Sequence, residues 1–209
     1  MGPKNKMQSL FTAPLKTIRS GTRHRPPGLS VLILALLLLV TPCSPVRSEV
    51  YDQDQVKAVF VYNLTNFITW PRKAGRNDAA VFTIGVFGRH ALGTFLEHAV
   101  SGETAKGLPI AVRHFQSLDR IQSHPCDLLF IDGDQMHLWP QIREVARRYK
   151  ILTVSDVESF GRRGGIVGLL TSGRKIRIEI NLEEGRRNGF EISAKLLKLA
   201  HIVTIGRED

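Results

Sequence analysis

The alternation of apolar and polar residues late in the chain constrains its fold more than any other feature. Between Lys175 and Leu182, isoleucine or leucine occupies every second position, and charged or amide side chains occupy the positions between. A period of two is typical of a β-strand with one buried face and one solvated face. The apolar run Ile166–Leu170 precedes it, and the turn-forming residues 171–173 join the two. The sequence therefore predicts a β-hairpin whose isoleucine face needs a covering layer.

Upstream of this hairpin, apolar runs alternate with amphipathic segments. The predicted strands are Val81–Phe87, Leu108–Phe115, Asp127–Ile131 and Ile151–Val154. The predicted helices are Asp52–Trp70, His90–Val100, Leu118–Gln122, Gln135–Tyr149 and Ile192–Ile202. Such alternation indicates a mostly parallel sheet that is covered on both faces. We expect an α/β three-layer sandwich, broadly flavodoxin-like, with the C-terminal antiparallel hairpin at one edge of the sheet.

The first predicted helix carries more apolar residues than one packed face requires. Helical spacing predicts that its buried face contains Val56, Val59, Phe60, Asn63, Leu64, Phe67 and Ile68. Tyr62 and Trp70 add further aromatic surface to the same segment. We expect Phe67 and Trp70 to belong to the core, and a part of this surplus could instead contact another protein.

The first 48 residues differ in composition from the rest. They hold seven of the 29 basic residues, none of the 19 acidic residues, and the uncharged run Leu29–Val40. That run is shorter than the roughly 20 apolar residues of a membrane-spanning helix. It fits the apolar region of a secretory signal peptide, with small residues before a cleavage point after Ser48. We predict a cleaved signal peptide over residues 1–48 and an exported domain over residues 49–209; an uncleaved anchor is the alternative.

The formal net charge of +10 does not indicate nucleic-acid binding. Much of it belongs to the predicted leader, and the remaining residues carry only a small positive excess. A domain of that balance has no long-range field that would attract DNA or RNA. If Cys43 leaves with the leader, Cys126 stands alone, and we expect it to be a buried thiol; a bridge between two chains is the alternative.

No catalytic, metal or cofactor motif stands out. The dinucleotide pattern G-x-G-x-x-G, the hydrolase pattern G-x-S-x-G and metal-ligand spacing of His or Cys are all absent from the sequence. Polar residues do follow the predicted strands, where α/β sheets bind ligands. Arg89, Asp132 and Ser155 are therefore a candidate pocket of a small-molecule sensor. Helix capping is the simpler explanation for the acidic residues at these positions.

A candidate protein-binding surface lies beside the hairpin. Arg163 and Gly164 indicate a basic loop, and Ile166 and Leu169 follow directly. If these two apolar side chains are exposed, they mark an interface with another protein. We predict that Arg163, Gly164, Ile166 and Leu169 contact a partner.

An ordered set of short matches resembles the YfiR family of exported bacterial regulators. The matching segments are Val56–Ala58, Tyr62-Asn63, Phe67, Trp70-Pro71, Cys126–Ile131, Ile151–Asp156, Gly164–Ile166, Arg177–Leu182 and Gly189–Ala200. The resemblance covers nearly all of residues 50–205. No single segment is decisive, and their order makes the set specific.

This resemblance implies a periplasmic, non-enzymatic protein without a cofactor. It implies repression of an inner-membrane diguanylate cyclase similar to YfiN, and therefore a lower level of cyclic-di-GMP. It also implies a homodimer and a second partner, an OmpA-like outer-membrane lipoprotein that sequesters the repressor. A periplasmic small-molecule sensor remains the alternative function. The lone Cys126 departs from family members with several cysteines, which gain redox-sensitive disulfides.

Overall fold

An eight-stranded sheet between two layers of helices carries the fold. The computed structural model describes residues 53–71, 81–88, 91–173 and 175–206, all within one unit, Glu49–Asp209. The predicted leader lies outside the described residues. Helices α1 to α6 span Gln53–Phe67, Leu92–Ala99, Leu118–Ser123, Trp139–Tyr149, Leu182–Arg187 and Ala194–Leu197, and a 3-10 helix over Gly133–Leu138 precedes α4. Strands β1 to β10 span Ile68–Thr69, Phe82–Phe87, Thr104–Ala105, Leu108–Phe115, Leu128–Ile131, Leu152–Ser155, Val167–Ser172, Lys175–Ile180, Glu191–Ile192 and His201–Ile202.

The order of the strands confirms the predicted α/β sandwich. The sheet runs β10-β8-β7-β6-β5-β2-β4-β3. Five adjacent strands of this sheet, in the order β4-β2-β5-β6-β7, are mutually parallel. Numbered along the chain, these five strands have the order 2-1-3-4-5, which is the flavodoxin-like arrangement of doubly wound sheets. Strands β7 and β8 form the predicted antiparallel hairpin, with Ser172 opposite Lys175 at its turn.

Alternation of side chains along the strands produces two separate cores. On one face, Leu128 and Phe130 of β5 pack beneath α1 and α2. On the other face, Leu129 and Ile131 of the same strand pack beneath α3 and α4. Both faces of β5 are therefore fully buried, as its uninterrupted apolar run predicts. Each such side chain contributes on the order of 1.5–3 kcal/mol relative to exposure.

The predicted C-terminal helix Ile192–Ile202 is wrong. Ile192 belongs to β9, which pairs with β1 through Ile68 in a separate two-stranded sheet. Ser193 then caps the single turn of α6 by accepting a hydrogen bond from the Leu196 backbone N–H at 3.3 Å. His201–Ile202 forms β10 and lies parallel to β8, so the hairpin is not the outermost element of the sheet. Backbone pairing with distant strands thus overrides the helical spacing of this segment.

Candidate functional site

The crevice between the carboxyl ends of β2 and β5 is the switch point of the sheet, where ligands bind in folds of this kind. Gly88 leaves β2 there with φ of +119°, and a Cβ at this position would lie 2.5 Å from Cβ of Asp132. Glycine is thus required both by the backbone angle and by the contact. Of the predicted pocket residues, Asp132 does border the switch point, and Arg89 lies outside the described residues. The ligand pocket remains a prediction.

Ser155, the third predicted pocket residue, is fully buried. Its hydroxyl donates to the carbonyl oxygen of Ile131 at 2.8 Å and accepts from the backbone N–H of Val157 at 3.3 Å. These two bonds join the ends of β5 and β6 and shape the loop that follows. The Ser155 side chain therefore has a structural role in this conformation, and it is not presented to solvent.

An ion pair fixes α1 to the same edge of the sheet. The ammonium of Lys57 lies 2.6 Å from a carboxylate oxygen of Asp156, and 3.5 Å from one of Asp54. Lys57 is buried, although it is not among the residues that helical spacing predicts for the buried face of this helix. A buried ammonium needs a partner of opposite charge, which explains why Asp156 lies beside it. The partner is 99 residues away in the chain, so the sequence alone did not reveal the pair.

The predicted exposure of Ile166 and Leu169 is wrong. Both side chains are buried in the core beneath α1 and α2, so neither is available to a partner in this conformation. The Ile166 backbone N–H donates to the Thr153 hydroxyl at 3.1 Å, which draws the start of the hairpin into the sheet. Of the predicted contact residues, Arg163 alone is exposed.

The loop before β7 is held in place around Arg163 and Gly164. The Trp139 indole donates to the carbonyl oxygen of Arg163 at 2.8 Å. Gly164 is buried with φ of +90°, and a Cβ there would lie 2.8 Å from the Arg143 guanidinium. The loop is therefore ordered against α4, and Gly164 supplies backbone geometry. The partner-binding role of Arg163 and Gly164 remains a prediction.

A buried carboxylate joins α4 to α5. Glu184 accepts two hydrogen bonds from the Arg147 guanidinium, at 2.7 and 2.8 Å, and one from the Asn188 amide at 2.9 Å. Burial by itself raises the pKa of Glu184, but the bonds from Arg147 and Asn188 outweigh it and lower that pKa below its usual value. The charged form is thus the stable one in the folded protein. Asn181, which caps α5, also donates a hydrogen bond to the Gly161 carbonyl oxygen at 2.8 Å. The network therefore connects α5 to the loop that precedes β7.

One face of α1 presents apolar surface to solvent. Val59 is 46% exposed, and Val56 and Phe60 are half-buried. Together with Gln55 and Asn63 they line a shallow cavity of about 280 Å³. Helical spacing predicted that Val56, Val59, Phe60 and Asn63 are buried, and these four residues are exposed or half-buried. The buried residues of α1 are Lys57, Ala58, Val61, Leu64 and Thr65, of which helical spacing predicted Leu64. The surplus of apolar residues in the sequence of α1 was the available signal for this surface.

Other features of the described residues have structural explanations. The Trp70 indole donates to the Asp127 carbonyl oxygen at 2.9 Å and packs edge-on against Phe82, which confirms its place at the core. Cys126 is a buried thiol, as expected.

Within residues 53–71, 81–88, 91–173 and 175–206, no group of three His, Cys, Asp or Glu side chains has the geometry of a metal site. No helix in these ranges has the length and apolarity of a membrane span.

Comparisons with known proteins give one family and distant structural likenesses. A family model described as YfiR/HmsC-like matches residues 54–201. No curated protein matches the sequence. Similar solved structures include the ABC domain in complex with L-Trp from Streptococcus pneumonia, at 14% identity and a TM-score of 0.49. Another is a conserved domain protein from Vibrio cholerae, at 13% identity and a TM-score of 0.49. The alignments cover 73% of this chain and only 60% of each of those chains, and likenesses at this level carry no functional conclusion.

Proposed function

Because the chain belongs to the YfiR/HmsC-like family, we propose that it binds an inner-membrane diguanylate cyclase similar to YfiN and represses it from the periplasmic side. The family consists of periplasmic, non-catalytic regulators of cyclic-di-GMP signalling. The observation that carries the proposal is the family match, which extends from the first turn of α1 to the first residue of β10. The proposed result of binding is a lower cellular level of cyclic-di-GMP.

Repression requires that this protein bind the inactive form of the cyclase more tightly than the active form. A regulator with equal affinity for both forms shifts no population, however tightly it binds. A tenfold difference in affinity corresponds to about 1.4 kcal/mol, and a shift from mostly active to mostly inactive cyclase needs several times that. The contact surface on this protein must therefore contribute several kcal/mol selectively.

The exposed face of α1 is the proposed contact surface. Val56, Val59 and Phe60 recur at helical spacing and expose apolar area, and the amides of Gln55 and Asn63 border it. An apolar centre with a polar rim is the usual anatomy of a protein interface. Helix α1 is also anchored at its first turns by the Lys57–Asp156 pair, so its face is preorganised for binding. Arg163 lies on a loop packed against α4, and its contact with a partner is a separate prediction.

The substitution Val59→Glu tests this surface. Since Val59 is 46% exposed, the change leaves the core intact and places a charge at the centre of the apolar face. We expect binding to the periplasmic domain of the cyclase to weaken at least tenfold and cellular cyclic-di-GMP to rise towards the level of a deletion strain. Leu199→Glu is the matched control because Leu199 is 76% exposed elsewhere, on the residues after α6. If the Val59→Glu and Leu199→Glu variants repress equally and both keep the thermal midpoint of the unaltered protein, α1 is not part of the interface.

Export through the leader is part of the proposal. We infer that residues 1–48 are cleaved after Ser48 and that residues 49–209 act in the periplasm. The mass of the protein recovered from the periplasmic fraction tests this, since an uncleaved anchor would retain the leader and stay with the membrane.

We further propose a homodimer and an OmpA-like outer-membrane lipoprotein that competes for the repressor. Because Cys126 is buried, such a dimer would be non-covalent in this conformation. Light scattering with and without reducing agent distinguishes a non-covalent dimer from a disulfide-linked one. The proposal requires the same dimer mass under both conditions. A competing lipoprotein must displace the cyclase domain from the immobilised protein, and simultaneous binding of both would argue against sequestration.

A further inference from the structure

Strand β4 is an open edge of the sheet over most of its length. On one side it pairs with β2 from Ile110 to Phe115. On the other side β3 pairs only with Leu108 and Pro109. Between Ile110 and Phe115, no other described segment pairs with the outer side of β4. The backbone N–H and C=O groups on that side are therefore available to a further strand.

The two faces of this edge differ in chemistry. Ile110 and Val112 point towards α2, and both are half-buried against the core. His114 follows on the same face and lies 3.1 Å from Glu97 of α2, over Gly93. The alternate residues Ala111 and Arg113 point towards the layer of α3 and α4 and are exposed.

A cavity accompanies each face of the edge. On the α2 side, a groove of about 390 Å³ is lined by Val100, Pro109, Ile110 and Val112 together with polar residues. Two acidic residues in that lining already have partners: Glu97 contacts His114, and Glu103 accepts from the Tyr62 hydroxyl at 2.8 Å.

Beside α3, at the carboxyl end of β4, the cavity is larger and basic. It has a volume of about 440 Å³ and is lined by Arg113, His114, Phe115, Gln116, Arg120 and His124. None of these residues is acidic, and among the described residues no carboxylate forms an ion pair with Arg113, Arg120 or His124. This end of the edge is therefore suited to bind negative charge.

We propose that the β4 edge binds an extended segment of another protein in which apolar and acidic residues alternate. A strand added to β4 places its side chains alternately on the two faces of the sheet. One set meets the apolar row of Ile110 and Val112, and the other set meets Arg113 and Arg120. A second copy of this chain is disfavoured, because it would bring a second Arg113 and Arg120 to the same edge. The proposal concerns a surface separate from α1 and does not depend on the cyclase assignment.

The test uses a labelled eight-residue peptide in which Val and Glu alternate. We expect fluorescence anisotropy to show binding to the protein, and hydrogen exchange to show protection of backbone amides between Ile110 and Phe115. The double variant Arg113→Glu/Arg120→Glu should bind at least tenfold more weakly. Arg148→Glu, at an exposed position on α4, is the matched control and should bind as the unaltered protein does. A peptide in which Val and Lys alternate should bind weakly or not at all.

Two further peptides examine strand addition itself. One has the same composition with all Val residues before all Glu residues, and the other is N-methylated at every second residue. Both should lose binding, because the first lacks alternation and the second lacks backbone donors. Equal binding of either peptide, absence of protection in β4, or unchanged binding by the charge-reversed variant overturns the proposal. Protection of β4 that rises with protein concentration, without peptide binding, would instead assign the edge to a second copy. Failure of these assays leaves the test of cyclase repression untouched.

Discussion

Replacing Arg147 with methionine would leave the Glu184 carboxylate charged and buried without its cation. The carboxylate is 2% exposed and accepts two hydrogen bonds from the guanidinium, so its partner cannot be replaced freely by water. Removal of one partner from a fully buried pair costs about 3–5 kcal/mol. Arg147 itself is 43% exposed, which places the expected loss of unfolding free energy nearer 2–4 kcal/mol.

Urea denaturation of the mature protein measures this loss. With a slope of about 2 kcal/mol per molar urea, a loss of 3 kcal/mol lowers the midpoint by about 1.5 M. The thermal midpoint should fall by about 6–12 °C, since each kcal/mol shifts a domain of this size by about 2–4 °C. The double variant Arg147→Met/Glu184→Met should recover much of the lost unfolding free energy, because it removes the unpaired buried carboxylate. Arg187→Met, which breaks an exposed pair with Glu183 within α5, is the control and should cost less than about 0.5 kcal/mol.

The same pair predicts a pH dependence. The pKa of Glu184 in the folded protein lies below the ordinary value of 4.5, so its contribution to stability is fully present above that value and is lost as the pH falls through the folded-state pKa. In the Glu184→Gln variant, stability should therefore fall less between neutral pH and pH 3 than in the unaltered protein. If Arg147→Met keeps the urea midpoint of the unaltered protein, or if Glu184→Gln shows the same acid profile, the pair does not brace α4 against α5.

Two other predictions concern buried residues. Ile166→Ala should lower the unfolding free energy by about 2–5 kcal/mol, because it leaves a cavity in the core, and a change of less than 1 kcal/mol in urea denaturation would indicate that Ile166 is solvent-exposed after all. The Cys126 thiol should react with an aromatic disulfide reagent only slowly in the native protein and completely in guanidinium, and rapid native labelling would contradict its burial.

The fold could be predicted because its signals are local. Strands β5 and β8 are recognisable from an apolar run and from strict alternation, and both were found within one or two residues of their observed ends. The helix predicted from Ile192 to Ile202 is wrong because the conformation of this segment depends on pairing with β1 and β8. The strand preference of a short segment depends strongly on its packing context, so such pairing decides its conformation.

The site was harder to predict, since exposure is not a local property. Apolar residues occur on nearly every side of α1, so periodicity did not distinguish the exposed Val59 from the buried Ala58. The burial of Lys57 depends on its ion pair with Asp156, which is distant in the sequence. Ile166 was expected to be exposed beside a glycine-rich loop, yet its backbone bonds to Thr153 and its side chain lies in the core beside Gly185 of α5. The resemblance to the YfiR family supplied the biological role, which the geometry of these residues does not encode.

Cellular cyclic-di-GMP measured in a deletion strain, its parent and a complemented strain tests the proposed repression most directly. We predict a rise on deletion that is reversed by the unaltered gene and not by the gene that carries Val59→Glu. An unchanged level in the deletion strain, with the protein demonstrably present in the periplasm of the parent, would contradict the proposed repression of a diguanylate cyclase.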